Sequence, residues 1–219
     1  MTFSTEGHYF DIKLQLIHNS TKIKILNIAI DLFSRKGYSG VSIRDITKEV
    51  GIKESSLYKH FKSKDEILET IFLNFRREVG RMCPPLDRLD RILSTMSPKE
   101  FLNRGLSNFM AHINDPTMRK IWRIVYVEQY RDPLAGDIYL NDILGNTLDF
   151  LEKTFTKMVS LKQIQPFDPK TLAVEFQYPI FTMITEYIML RFEDKDTAEV
   201  KRKMLNHIEF FCNVISPSK

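Results

Sequence analysis

The sequence predicts an all-α fold, on three observations about its pattern. Apolar residues recur every three or four positions over long stretches, which is the spacing of one helix face. Helix-start signals, either a capping side chain or a cap followed by proline, recur along the chain. Alternation of apolar and polar residues, the pattern of a half-buried strand, persists nowhere in the 219 residues. Hydrophobic residues make up 43% and charged residues 27%, proportions typical of a globular protein.

The N-terminal region predicts a helix preceded by an extension. Residues 1–19 show no clear period and are left unassigned. Asn19 or Ser20 caps a first helix that runs to about Lys36, where Gly37 ends it.

A second and a third helix follow, separated by a glycine turn. Ser42 caps the second helix, and Asp45 gives a capping-box spacing with Asp in place of Glu or Gln. Gly51 supplies the turn, because a left-handed backbone conformation costs little only for glycine. The third helix covers about 53–61, and a fourth begins at Lys64.

The remainder of the chain predicts further helices after a break at Cys83-Pro84-Pro85. Each pair of a capping residue and a proline marks a helix start, and these pairs are Ser97-Pro98, Asp115-Pro116, Asp132-Pro133 and Asp168-Pro169. The helices expected here cover residues 98–113, 116–130, 133–160, 169–192 and 197–215, which brings the total to about nine. Pro179 should kink its helix because it removes one backbone hydrogen bond.

The excess positive charge is concentrated in the N-terminal helices. The whole chain carries 32 Lys and Arg residues against 28 Asp and Glu residues. Residues 20–65 hold ten basic and five acidic side chains, so the rest of the chain is close to neutral. A compact basic module favours a polyanion such as nucleic acid as partner, and an ordinary solvated helix surface is the alternative.

Helix, glycine turn and short helix over residues 42–61 form a helix-turn-helix arrangement, whose second helix lies in the major groove of DNA. Polar side chains open this helix and follow it, namely Lys53, Glu54, Ser55, Ser56, Tyr58, Lys59 and His60. The small residues Ser55 and Ser56 allow close approach to DNA, and Lys59 can reach a guanine edge or a phosphate. Leu57 and Phe61 would anchor the helix to its neighbours.

The segment GYSGVSIRDITKEVGIKESSLYKHFKSKDEIL resembles the DNA-binding signature of the TetR family. The matching features are Gly37-Tyr38, Ser42, Asp45-Ile46, Gly51-Ile52, Leu57-Tyr58, His60-Phe61, Lys64 and Ile67. The resemblance covers residues 20–70. It implies a dimeric repressor in which three N-terminal helices bind operator DNA, while the C-terminal helices form the dimer interface and a small-molecule pocket. Residues 1–19 are then an extension, 20–66 the helix-turn-helix DNA-binding domain and 67–219 the regulatory and dimerisation domain.

The resemblance also assigns DNA contacts by position. Ser42 should contact a phosphate at the N-terminus of the second helix, and Tyr58, His60 and Lys64 should contact the DNA backbone. The complete set of expected DNA contacts is Ser42, Arg44, Lys53, Ser55, Ser56, Tyr58, Lys59, His60 and Lys64. Lys53 departs from the family pattern, which usually has Ser or Thr as the cap at this position.

Several of these residues have a structural alternative. Tyr58 and Phe61 also suit the core of a three-helix unit, and Lys62 suits a solvated surface. Ser42 is also explained as a helix cap, although capping and phosphate contact are compatible because helix N-termini bind anions. Lys13 is the one lysine of residues 1–19, so this segment offers little positive charge for binding the minor groove of DNA as an N-terminal arm.

The C-terminal body predicts a ligand pocket and a dimer interface. Aromatic and flexible residues suit a pocket for an amphipathic ligand, and the candidates are Phe109, Trp122, Tyr126, Tyr130, Phe150, Phe176, Met183 and Tyr187. Two helical stripes suit a dimer interface, with candidates Phe176, Ile180, Val200, Met204, Ile208, Phe211 and Ile215. Packing inside one subunit is the alternative for both sets. Glu128 and Glu186 either face a cation in the interior or lie on the surface.

Other function classes find little support. The five histidines lack metal-ligand spacing, and neither a glycine-rich phosphate loop nor a nucleophile motif occurs, so no enzyme activity, metal or cofactor is expected. The most apolar stretch, residues 178–190, is shorter than the roughly 20 residues of a membrane span. Residues 1–10 lack a signal-peptide pattern, and the two cysteines show no CxxC spacing, which suits the cytoplasm.

The sequence therefore predicts a cytoplasmic, dimeric DNA-binding regulator of the TetR type. The simplest form is a repressor that a small amphipathic or aromatic ligand releases from its operator. A DNA-binding protein controlled by a protein partner, with no small-molecule pocket, is the alternative.

Overall fold

The computed structural model describes residues 9–217; the first eight residues, which belong to the expected N-terminal extension, and the last two lie outside the described part. Residues 9–217 form eleven α-helical segments and one π-helical stretch, with no strand, so the all-α prediction is confirmed. The helices are α1 (Ser20–Lys36), α2 (Ile43–Val50), α3 (Glu54–Leu57), α4 (Lys64–Val79), α5 (Leu86–Thr95), α6 (Pro98–Asn114), α7 (Pro116–Glu128), α8 (Pro133–Asp137), the π-helical stretch (Ile138–Gly145), α9 (Asn146–Ser160), α10 (Pro169–Phe192) and α11 (Ala198–Ile215).

Capping side chains set most of the helix starts. The caps whose side chains accept a backbone N–H of the first turn are Asn19, Ser42, Ser63, Asp115, Asp132 and Asp168. Helices α7, α8 and α10 also begin with proline directly after the cap, where the missing N–H has no helical partner to lose. The helix starts predicted from these signals are confirmed.

Three elements differ from the sequence prediction. The third helix covers only Glu54–Leu57, and residues 58–60 form a turn. The single helix expected over 133–160 is interrupted by the π-helical stretch Ile138–Gly145. Helix α5 was not among the predicted helices, because it follows Pro85 and no side chain caps its start.

Residues up to 81, together with 112–143, form one compact unit. Helix α7 packs on α1 and α4, and the Phe75 and Trp122 rings meet edge to face with centroids 5.0 Å apart. The core residues that are at most 1% exposed include Ile25, Phe33, Ile46, Leu57, Phe61, Ile71, Phe75 and Trp122. The helix-turn-helix segment therefore shares its core with α7, and residue 66, the expected domain end, lies inside α4.

Residues 9–17 fold back onto α1 and α4 within this unit. The Tyr9 hydroxyl donates to Asn27 Oδ1 at 2.7 Å. The Asn74 side chain pairs with the Phe10 backbone, accepting from its N–H at 2.8 Å and donating to its carbonyl at 2.7 Å. The Arg77 guanidinium lies 4.0 Å from the centroid of the Phe10 ring. This part of the extension is thus fixed to the helices as part of the fold.

Residues 82–111 and 144–219 form the second compact unit, built from α5, most of α6 and α9 to α11. Phe155, Phe176 and Phe211 cluster in its core with ring centroids 5.1–6.3 Å apart. Helix α10 continues through Pro179 as one helix. Within residues 9–217, no helix combines the length and the apolar composition needed to cross a membrane.

The two stripes predicted as a dimer interface are buried inside a single chain. Each member is at most 6% exposed, and they are Phe176, Ile180, Val200, Met204, Ile208, Phe211 and Ile215. This burial within a single chain favours the alternative of packing inside the subunit over contact with a second subunit. Helix α10 carries apolar residues on nearly its whole circumference, so its sequence does not show which stripe faces inward.

Candidate nucleic-acid interface

Local signals in the sequence set the geometry of α2 and the turn after it. The Ser42 hydroxyl oxygen accepts from the Asp45 N–H at 3.1 Å, and the Asp45 carboxylate accepts from the Ser42 N–H at 2.8 Å. At the other end Gly51 has φ +79°, a left-handed conformation that favours glycine. The N–H groups of Gly51 and Ile52 both donate to the Thr47 carbonyl, which closes the turn before α3.

Helix α3 is anchored by two buried side chains and exposes its polar ones. Leu57 is fully buried and Phe61 is 1% exposed, whereas Tyr58 is 52% exposed. Tyr58 is therefore a surface residue, and the core alternative holds for Phe61 alone. Five of the expected DNA contacts are exposed, namely Arg44, Lys53, Ser55, Tyr58 and Lys59, while Ser56 and His60 are half-buried. Within residues 9–217 the side chains of these seven residues form no hydrogen bond or ion pair.

Ser42 is exposed, but its hydroxyl is already used inside the protein. The hydroxyl donates to the Asp45 carboxylate at 2.6 Å, in addition to accepting the Asp45 N–H. These bonds from the Ser42 side chain and backbone hold the pKa of Asp45 below its usual value. The start of α2 thus carries a stable negative charge, which opposes a phosphate there.

Tyr38, in the turn between α1 and α2, is bonded through its backbone and its side chain. The ammonium of Lys64 donates to the Tyr38 carbonyl at 3.0 Å and to the Val41 carbonyl at 2.7 Å, and lies 4.0 Å from the centroid of the Tyr38 ring. The Tyr38 hydroxyl donates to Asp65, and the ring packs against Phe33 with centroids 5.3 Å apart. Burial, followed by the bond to Asp65, raises the pKa of Tyr38, so the hydroxyl keeps its proton. Lys64 therefore supports this turn, whereas the resemblance implied a DNA-backbone contact.

The backbone N–H of Tyr38 donates to a buried carboxylate of α7. Glu128 is 2% exposed, and its Oε1 accepts from Tyr38 at 3.0 Å. The same oxygen lies 3.7 Å from the position that a Cβ on Gly37 would take, and Gly37 has φ +72°. Glu128 therefore faces inward and the surface placement is wrong, while the inward-facing oxygen accepts from a backbone N–H. No local pattern links residues 90 positions apart.

The eight residues predicted to line a ligand pocket are divided between the two compact units. Trp122 and Tyr126 lie in the first compact unit, with ring centroids 6.0 Å apart. The Tyr126 ring also contacts the Tyr139 ring, with centroids 5.7 Å apart. Tyr130 is 90% exposed, so the single chain gives it no enclosed surroundings.

The remaining predicted pocket residues belong to the second unit, where Phe150 and Phe176 have different ring partners. Phe150 stacks on Phe101 at 6.4 Å, and Phe176 belongs to the cluster with Phe155. Tyr187 is buried, whereas Phe109 and Met183 are half-buried. Among the described residues, no group of three or more His, Cys, Asp or Glu side chains is placed to bind a metal ion.

Two family models match the chain. One, described as bacterial regulatory proteins of the tetR family, matches residues 25–71. The other, described as the C-terminal domain of AefR-like transcriptional repressors, matches residues 100–214, which is more than half of the chain.

Curated relatives match the helix-turn-helix segment. The HTH-type negative transcriptional regulator IcaR of the biofilm operon icaADBC from Staphylococcus aureus (strain Newman) is 56% identical over 48 residues. The match covers 22% of this chain and 26% of IcaR, so the chain spans about a quarter of the length of this relative. IcaR from Staphylococcus epidermidis is 54% identical over 46 residues, with coverages of 21% and 25%.

Solved structures share the fold over most of the chain. A TetR-family regulator from Mesorhizobium loti superposes with a TM-score of 0.60 at 18% identity, covering 90% of this chain and 97% of the other. The SmeT–triclosan complex gives a TM-score of 0.64 at 19% identity, with coverages of 91% and 93%. The two matched family models and this shared fold lead to one conclusion: the chain belongs to the TetR family of bacterial regulatory proteins.

Proposed function

We propose that this protein is a dimeric, sequence-specific DNA-binding transcriptional regulator, and that it acts as a repressor released from its operator by a small ligand. The observation that carries the DNA-binding part is the surface of α2, α3 and the turn that follows. Seven polar side chains there have no partner within residues 9–217, and three of them, Arg44, Lys53 and Lys59, are basic and exposed. Such groups match the phosphates and base edges of DNA.

The residues expected to contact DNA have different roles in this proposal. We assign DNA contact to the seven residues without an internal partner, namely Arg44, Lys53, Ser55, Ser56, Tyr58, Lys59 and His60. We assign Ser42 to capping, because its hydroxyl donates to Asp45. We assign Lys64 to supporting the Tyr38 turn, because its ammonium donates to two carbonyls.

A dimer is supported by an exposed apolar face on α10 and α11. Tyr178 and Met189 of α10 are 47% and 61% exposed, and Phe210 and Val214 of α11 are 67% and 48% exposed. An ion pair between Lys203 and Glu186 joins the two helices at 3.2 Å. Apolar surface of this kind marks an interaction site, and we propose that a second copy of the chain covers it. Two helices from each subunit would then form a four-helix interface.

Repression is supported by the descriptions of the relatives. IcaR is described as a negative transcriptional regulator, and the model that matches residues 100–214 describes repressors. Release by a small ligand is supported by the SmeT complex with triclosan, an aromatic compound. In this chain the half-buried rings of Tyr126 and Tyr139, next to Trp122, are the aromatic surface that best suits such a ligand. Control by a protein partner is the second candidate.

Selection of bound sequences from random DNA duplexes tests the proposal. A dimer with twofold symmetry should enrich an inverted repeat whose half-sites lie near one helical turn apart. Retention that depends on salt but shows no preferred sequence would contradict sequence-specific recognition.

Two lysine substitutions separate DNA contact from support of the turn. Lys59→Ala should reduce the slope of log K for the selected operator against log[salt] by about 1, because one phosphate partner is lost. Its melting temperature should stay at the parent value. Lys64→Ala should keep the parent salt slope and lower the free energy of unfolding by about 1–3 kcal/mol, because two carbonyls lose a charged donor.

The opposite pattern would contradict this assignment. A flatter salt slope with parent stability for Lys64→Ala would make Lys64 the phosphate contact. A parent salt slope for Lys59→Ala would remove Lys59 from the interface.

Phe210→Glu tests the proposed dimer face. The residue is exposed in the single chain, so the helix should fold, but two carboxylates would be desolvated in the dimer interface. Sedimentation should show a dimer for the parent protein and a monomer for the variant, with weaker operator binding. Leu140→Glu is the matched control, because Leu140 is 61% exposed in the π-helical stretch, and it should stay dimeric. A dimeric Phe210→Glu protein would show that this face is not the interface.

A further inference from the structure

Glu54 is an acidic side chain on the proposed DNA-binding surface. It is the first residue of α3 and is exposed. Within residues 9–217 its carboxylate forms no hydrogen bond or ion pair. Neither the capping of α3 nor the packing of its core therefore uses this charge.

The surroundings of Glu54 are basic. It is the one acidic residue of the stretch 53–62, which also holds Lys53, Lys59 and Lys62. Tyr58 is the residue directly after α3, and its N–H donates to the Glu54 carbonyl at 3.2 Å, so it lies one helical turn beyond Glu54. Tyr58 is 52% exposed, so the side of α3 that carries Glu54 is open to a partner.

A carboxylate at a DNA surface can be stabilised by few groups. It only accepts hydrogen bonds, and phosphate oxygens also accept, so the DNA backbone repels it. In the major groove the exocyclic amines of cytosine and adenine are the donors. Adenine presents its N7 acceptor beside its amine, which suits an amide better than a carboxylate. Cytosine presents its N4 amine without an adjacent acceptor on the same base, so a carboxylate fits it.

We propose that Glu54 is a specificity-determining residue whose carboxylate accepts a hydrogen bond from a cytosine N4 amine in each operator half-site. The proposal rests on the proposed function, because it needs α3 in the major groove. Lys53 and Lys59 lie near Glu54 in the sequence. Either lysine can donate to O6 and N7 of a guanine, which is the base paired with that cytosine or a neighbouring base. The carboxylate then rejects bases that lack a donor, while the lysines supply attraction.

Selection from random duplexes with the full chain tests the proposal on three proteins. The parent should enrich cytosine at one position of each half-site, by about tenfold over the other bases. Glu54→Gln should change the preferred base at that position to adenine, whose N6 and N7 pair with an amide. Glu54→Ala should lose preference at that position alone. Glu54→Ala should also bind random DNA more tightly than the parent, because a charge that repels phosphate is gone.

Glu49→Gln provides the matched control. Glu49 is exposed on α2, so its substitution removes one negative charge from the same segment but not from α3. This variant should keep the parent base preference at every position. Circular dichroism spectra that match the parent would establish that all variants fold.

The outcomes separate the two proposals. If the parent enriches an inverted repeat and both Glu54 variants recover the same bases at every position, the role of Glu54 is wrong and the proposed function stands. A parent preference for adenine or thymine at the position that changes would also overturn the cytosine assignment. If the parent enriches no sequence, the proposed function fails and the role of Glu54 fails with it.

Discussion

The hydrogen bond from the Tyr38 N–H to the buried Glu128 carboxylate is the constraint on which the proposed DNA-binding surface depends. A buried carboxyl oxygen is costly unless a hydrogen-bond donor satisfies it. Glu128 therefore holds the turn after α1 against the end of α7 at one distance, 3.0 Å. Lys64 holds the same residue through the Tyr38 carbonyl, which belongs to the next peptide group. The turn that leads into α2 and α3 is thus held from α4 and from α7 together.

This arrangement divides the polar groups of the first compact unit into two sets. Glu128, Lys64 and Asp45 are paired inside the protein and maintain its geometry. Arg44 and Lys59 are exposed and unpaired within residues 9–217, and so remain available to a partner. Because the two sets do not overlap, substitutions can separate groups that position the surface from groups that contact DNA directly. Glu54 belongs to the second set, because its carboxylate is exposed and unpaired within residues 9–217.

Sequence patterns predicted what local chemistry determines. Ser42, Gly51 and the Asp-Pro pairs act within a few residues, so they located the helix starts and the turn before α3. The pairing of Tyr38 with Glu128 joins positions 90 residues apart, and no local pattern carries it. The stripes predicted to form the dimer interface are buried within one chain for a different reason. Both sides of α10 are apolar, and only packing within the chain shows that Ile180 faces inward while Tyr178 faces outward.

The affinity of Glu128→Ala for the selected operator tests the central claim most directly, with Glu128→Gln as its control. Glutamine keeps an oxygen that can accept from Tyr38, whereas alanine removes it. The account predicts that Glu128→Ala binds at least about tenfold more weakly, equal to about 1.4 kcal/mol. Glu128→Gln should stay within a few-fold of the parent. Folded Glu128→Ala protein that binds the operator as tightly as the parent would contradict the claim that this hydrogen bond positions the DNA-binding surface.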